Sequence, residues 1–275
     1  MIVSGRTSRI LLSAFTAAVV LFLLVPLALI VLYAFNSSNI QSWPIPGFST
    51  KWFTVALHNE EVRNALVLSL KCGVLATVIA VVLGSMAAFA VHRFRFFGRN
   101  TVSFIVVLPI ALPGIITGMA LNSFITFTAI PFSVLTIVIG HATFCIVVVY
   151  NNVIARLRRS PTSLIEASMD LGADGPTTFR LVTLPTIATA LVAGGLLAFG
   201  LSFDEIVVTT FTAGAQNTLP IWIFGSIRLG QQLPQVNVVV FAVMIVALIP
   251  IWIAQRLTRE SGVIRSAAHA EAPGG

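Results

Sequence analysis

The sequence predicts an all-α membrane protein of six transmembrane helices, with both termini cytoplasmic, and three observations carry that prediction. Of 275 residues, 57% are hydrophobic and only 9% are charged, where soluble domains carry about 25% charge. So few polar residues cannot enclose so large a core, and much of the surface must face lipid. The mean hydropathy is +0.99. The apolar residues also cluster into six stretches near the roughly 20 residues that a spanning helix needs.

In chain order the expected spans are 10–35, 72–91, 102–127, 132–150, 187–211 and 236–254. Arg6 and Arg9 precede the first run as in a signal peptide. The run is far longer than the about 7–15 residues of a signal's apolar core, and no small-residue cleavage site follows. It is expected to remain as an anchor. Pro26, Pro109, Pro113 and Pro250 interrupt spans, which neighbouring helices can accommodate. Gly114 and Gly118 have the small-xxx-small spacing of close helix packing; a gate hinge is the other reading. Cys72 and Cys145 both lie in apolar runs and read as small core residues.

Basic residues decide the orientation. Arg6, Arg9, Arg93, Arg95, Arg99, Arg156, Arg158, Arg159, Arg180, Arg256, Arg259 and Arg265 fall on the N-terminal side; Lys51, Arg63, Lys71 and Arg228 fall on the other. The positive-inside rule then makes both termini cytoplasmic. The excess of 16 basic over 9 acidic residues is thus a topology signal, thinly scattered, and not a nucleic-acid face. The expected organisation is a short N-terminus (1–9), one membrane domain (10–259) and a small polar tail (260–275). The connections at 92–100 and 128–131 are short, while 36–71, 151–186 and 212–235 are long. Trp43, Phe48, Trp52 and Phe53 mark the first long outer segment as lying partly at the membrane interface.

The cytoplasmic segment 160–185 is the most specific. Ser163 and Glu166 fit a capping box, Gly172 a helix stop, and Asp174 the cap of a second helix with Pro176 in its first turn. Two short helices meeting at a glycine make a bent lever, and Ala167, Leu171 and Ala173 offer a face for docking in a partner's groove. An amphipathic loop lying on the inner membrane surface, touching lipid through Phe179, Leu181 and Val182, fits the same signals.

In the fifth span Asp204 and Glu205 follow Phe203, about 25 Å along a continuous helix from Ile187. Carboxylates there are costly and serve a pathway or pair with a cation. On a helix they lie about 100° apart, so only one can point into a channel. A structural role, with Arg228 or a helix end as partner, is the alternative. His141 stands alone in the fourth span and reads as a buried, hydrogen-bonded structural histidine. There is no phosphate loop, His-Glu-x-x-His or Gly-x-Ser-x-Gly motif in the chain. An enzyme within the membrane has no supporting constellation.

The run Glu166-Ala167-Ser168, with Asp170, Leu171, Gly172 and Ala173 after it and Leu184-Pro185 at its close, resembles the EAA loop of the membrane subunits of bacterial ABC importers. Ser168 stands where that pattern usually has Ala. Asn64-Ala-Leu, Pro109-Ile-Ala-Leu-Pro113, Phe203-Asp-Glu-Ile-Val-Val, Phe211-Thr-Ala-Gly214 and Thr218-Leu-Pro-Ile-Trp222 resemble the spermidine/putrescine permease branch, over about residues 10–259. The resemblance implies an inner-membrane permease for polyamines or another small solute, with an EAA coupling loop between the fourth and fifth spans. It implies a second related permease as heterodimer partner, a cytoplasmic ATPase dimer and an extracytoplasmic binding protein. ATP and Mg would be bound by the ATPase and no cofactor by this chain, which is not itself an enzyme. Phe203, Asp204 and Glu205 are the expected substrate path. An ion- or proton-coupled secondary transporter is the competing class, and it would have only Asp204 and Glu205 as coupling carboxylates.

Overall fold

In a computed structural model, residues 6–94 and 96–248 are described, and they are helical almost throughout, without a strand among them. Four helices are long and apolar enough to cross a membrane, and a bent pair makes a fifth span if counted as one. The part of the sixth expected span beyond residue 248, and the tail 260–275, lie outside the described residues. The described residues divide into two compact units, 6–62 with 223–248, and 63–94 with 96–222.

The first unit contains α1 (Arg6–Ala34), α2 (Lys51–His58), most of α11 (Leu219–Leu229) and α12 (Leu233–Leu248). None of the most apolar stretch of α1 is buried, so its leucines and phenylalanines face outward on all sides. Its C-terminal end is anchored: Trp52 Nε1 donates to the Asn36 carbonyl at 2.9 Å, and the rings of Phe35, Phe53 and Phe241 meet at 5.1–6.2 Å. Of the four aromatics expected at the interface, Trp43 and Phe48 are exposed, while Trp52 and Phe53 are drawn partly inward by these contacts.

The helix α3 (Glu60–Arg93) has 34 residues, about 50 Å of helix, where the sequence predicts a span beginning only at residue 72. Asn59 Oδ1 accepts the Glu61 N–H at 2.9 Å, and Glu60 and Glu61 suit the positive N-terminal end. Charged residues do not stop a helix, so α3 runs on outside the apolar stretch.

In the second unit α6 (Val134–Arg159) and α9 (Leu184–Phe203) form the centre, with α3 beside them. Between helices in lipid there is no hydrophobic drive, so close van der Waals fit must hold them. Gly84 illustrates this: a Cβ there would lie 2.8 Å from the Ile146 carbonyl oxygen. Cys72 and Cys145 are fully buried and free, as expected of core residues.

The helices depart from the expected stretches at three places. The third span is broken into α4 (Arg99–Ala111) and α5 (Gly114–Phe127), whose axes differ by 104°. Pro113 lacks an N–H and forces Leu112 into an extended conformation, which ends α4. The helix of the fourth expected span, α6, continues nine residues beyond the apolar stretch, to Arg159. The fifth span ends at Phe203, and a separate helix α10 (Val207–Thr212) follows.

Candidate functional site: an elbow and a helix break at the two ends of α9

The elbow consists of α7 (Ser163–Asp170), α8 (Gly175–Thr178), a π-helical turn (Phe179–Thr183) and the start of α9. The expected capping box is absent. Thr162, already in helical conformation, occupies the cap position without a side-chain bond, and Ser163 is the first helical residue. A box needs Ser163 at the cap and Glu166 at the third helical position, and each here stands one position too far into the helix. The glycine stop is present in full. Gly172 has φ +85°, its N–H donates to the Met169 carbonyl at 2.9 Å, and the Ala173 N–H donates to the Ser168 carbonyl at 3.1 Å. This Schellman pair satisfies the terminal carbonyls and turns the chain.

Asp174 caps α8 as expected, accepting the Thr177 N–H at 2.9 Å. Hydrogen bonding from Thr177, side chain first and then backbone, holds the Asp174 carboxyl below the usual range. Across the bend the Ser168 and Thr178 hydroxyls meet at 3.1 Å, and Thr178 is buried. The serine that departs from the Ala pattern therefore stitches α7 to α8. The Phe179 ring packs edge-on against Phe89 of α3, with centroids 5.4 Å apart. Glu166, Ala167, Asp170 and Leu171 are all exposed, Leu171 at 88%, while Ala173 is half-buried. Leu184 and Pro185 begin α9 and are exposed.

The second region lies at the other end of α9, about 30 Å away along its 20 residues. Phe203 stacks on Phe199, with centroids 5.9 Å apart. Asp204 and Glu205 sit in the break and not on a helix, so the 100° argument does not apply to them. The structure separates their roles. Glu205 turns back, and its Oε1 accepts the Val208 N–H of α10 at 2.9 Å. Asp204 is exposed and makes no side-chain hydrogen bond among the described residues.

Sequence reasoning missed three polar residues here. Ser202 and Thr209 each lie 2.7 Å from one ring nitrogen of His141, and Asn122 Nδ2 donates to the Phe211 carbonyl at 2.7 Å. His141 is thus the buried, hydrogen-bonded residue expected, but no local pattern marks its partners. The other broken span lies alongside: Gly114 faces Val207, and a Cβ on Gly118 would be 2.5 Å from the Phe211 ring. Close packing, one of the two readings of this glycine pair, is what these contacts display. No group of three metal-binding side chains occurs among the described residues.

The family described as "binding-protein-dependent transport system inner membrane component" matches residues 80–260. The chain belongs to that family. The permease is 37% identical over 227 residues to the putrescine transport system permease protein PotI of Escherichia coli K12, covering 78% of this chain and 79% of that one. It is 30% identical over 254 residues to the spermidine/putrescine transport system permease protein PotC of the same strain, covering 92% and 95%. Its fold resembles that of a bacterial ABC transporter importing the polysaccharide alginate, with TM-score 0.71, 16% identity and coverage of 93% and 99%. It also resembles the MetNI methionine ABC transporter, with TM-score 0.57, 21% identity and coverage of 78% and 99%. The family assignment favours the importer permease over the ion-coupled carrier.

Proposed function

We propose that this permease imports a polyamine, putrescine or spermidine, as one of two related membrane subunits driven by a cytoplasmic ATPase dimer and fed by an extracytoplasmic binding protein. The relatives PotI and PotC support the substrate class. The reading places six spans in one domain over residues 10–259 of a bacterial inner-membrane protein, with both termini and the elbow cytoplasmic. ATP and Mg belong to the ATPase, since the chain has no phosphate loop.

The observation that carries the coupling is the Gly172 elbow. It leaves Glu166, Ala167, Asp170 and Leu171 open for a partner's groove, while Thr178 ties α7 to α8 and Phe179 packs the elbow against α3 behind it. A stiff element with a different contact in each state can transmit closure of the ATPases into movement of α9. At the far end, Asp204 is the acceptor offered to a substrate ammonium group, through charge-assisted hydrogen bonds. Glu205 holds α10, and Phe203 flanks the path.

The test is affinity purification of the tagged permease from its native membrane, with mass identification of what accompanies it. An ATPase recovered with the wild type, and lost from a Glu166→Ala/Gly172→Val double variant that still inserts, supports the reading. A chain that arrives alone and still moves putrescine in vesicles overturns it.

A further inference from the structure

We infer that His141 is a positioning residue for translocation. Its imidazole clamps the two sides of the α9–α10 break together and so sets where Asp204 is presented, an inference that rests on Asp204 lying on the substrate path. His141 is 1% exposed, about two turns into α6. One ring nitrogen meets Ser202, in the last turn of α9, and the other meets Thr209, inside α10, both at 2.7 Å.

Proton bookkeeping fixes the arrangement. The Thr209 hydroxyl donates its single proton to the Glu205 carbonyl at 2.6 Å, so towards the imidazole it can only accept. His141 Nε2 therefore carries the N–H. In the neutral ring Nδ1 is then the acceptor, and it takes the Ser202 O–H. Each ring nitrogen and each hydroxyl proton is used once, with none left unpaired in a buried place, where an orphan would be costly. The result is a closed loop: Ser202 to His141 to Thr209 to the Glu205 carbonyl. Asp204 lies on the chain between Ser202 and Glu205, with its own side chain outside the loop and exposed. An apolar packing residue would use neither hydroxyl. A residue that holds a break in one shape needs one on each side of it.

Two readouts in the complete importer test this. The first puts a cysteine at position 204 (Asp204→Cys) with Cys72 and Cys145 replaced by alanine, and follows its labelling by a small water-soluble methanethiosulfonate. His141→Leu, or the isosteric Thr209→Val should the first not assemble, is expected to change the labelling rate by about threefold or more, the size usual for hydrogen bonds between membrane helices. His141→Gln, which spaces a donor and an acceptor similarly, should restore most of the wild-type rate. Wild-type labelling in both His141→Leu and Thr209→Val overturns the clamp.

The second readout is the concentration dependence of putrescine uptake. His141→Leu should raise the half-saturating concentration in the wild-type background and add nothing in Asp204→Asn. An equal further loss in Asp204→Asn overturns the action through Asp204. Wild-type uptake by Asp204→Asn itself would remove the path reading, while the labelling result still decides the clamp.

Discussion

The two ends of α9 are both places where a helix is interrupted, yet they are built from opposite materials. At the elbow every decisive bond is local: Gly172 to Met169, Ala173 to Ser168, Thr177 to Asp174, with Ser168 to Thr178 the longest reach. The side proposed for docking is exposed, and a Cβ on Gly172 would meet nothing within 4 Å. At the break the decisive bonds join residues 61 and 68 positions apart, and they are buried. An elbow made from local backbone geometry keeps its shape while a partner pulls on it. A break held from a neighbouring helix takes its shape from that helix and moves when it does.

Breaking the comparison is easiest at Gly172. Only its φ resists a side chain, so the effect of substitution should follow left-handed tolerance and not size: Val worst, Ala intermediate, Asn mildest. The strain is about 1–2 kcal/mol, and in Gly172→Val uptake should fall tenfold or more, with insertion intact, when measured against equal amounts of membrane-embedded protein. Equal losses for Val and Asn would show that bulk, not backbone, matters.

Gly118 should behave in the opposite way, through crowding. Gly118→Ala pushes a methyl into the Phe211 ring and should cost about 1–3 kcal/mol, seen as a lower thermal midpoint of the detergent-purified complex. Phe211→Leu should recover part of it; no recovery would mean that the contact is not the cause.

Ser168→Ala restores the common pattern and removes only the Ser168–Thr178 bond, about 0.5–1.5 kcal/mol. Uptake per ATP hydrolysed should fall modestly while the ATPase remains bound. An unchanged ratio would make the serine incidental.

The smallest effect is the pH dependence of the Asp174 cap. Its folded carboxyl titrates below the unfolded value of about 3.9, so its contribution is complete above that pH and is lost as pH falls through the lower folded value. Protease nicking of the elbow should rise in that acid window in the wild type and not in Asp174→Asn.

Much of the elbow was legible because glycine stops and Asp caps act within a turn. The exception is instructive: Ser163 and Glu166 have capping-box spacing, but Thr162 starts the helix one residue earlier in register. The break was not legible. Asp204 and Glu205 were visible as an interruption of the apolar run, but nothing in the spacing says that the helix ends there, or that Glu205 turns back to Val208 while Asp204 stays free. Pro113 was visible as an interruption, but its 104° bend was not, because a proline's angle depends on what receives the freed backbone.

By itself the sequence determined the membrane class, the positions of the main apolar helices, the glycine elbow and the cap at Asp174. Each of these follows from composition or from bonds within one or two turns. The tertiary structure alone decided the broken spans, the different roles of Asp204 and Glu205, and the pairing of His141 with Ser202 and Thr209. Those features depend on which buried donor meets which acceptor across neighbouring helices, and that follows from packing and not from spacing along the chain.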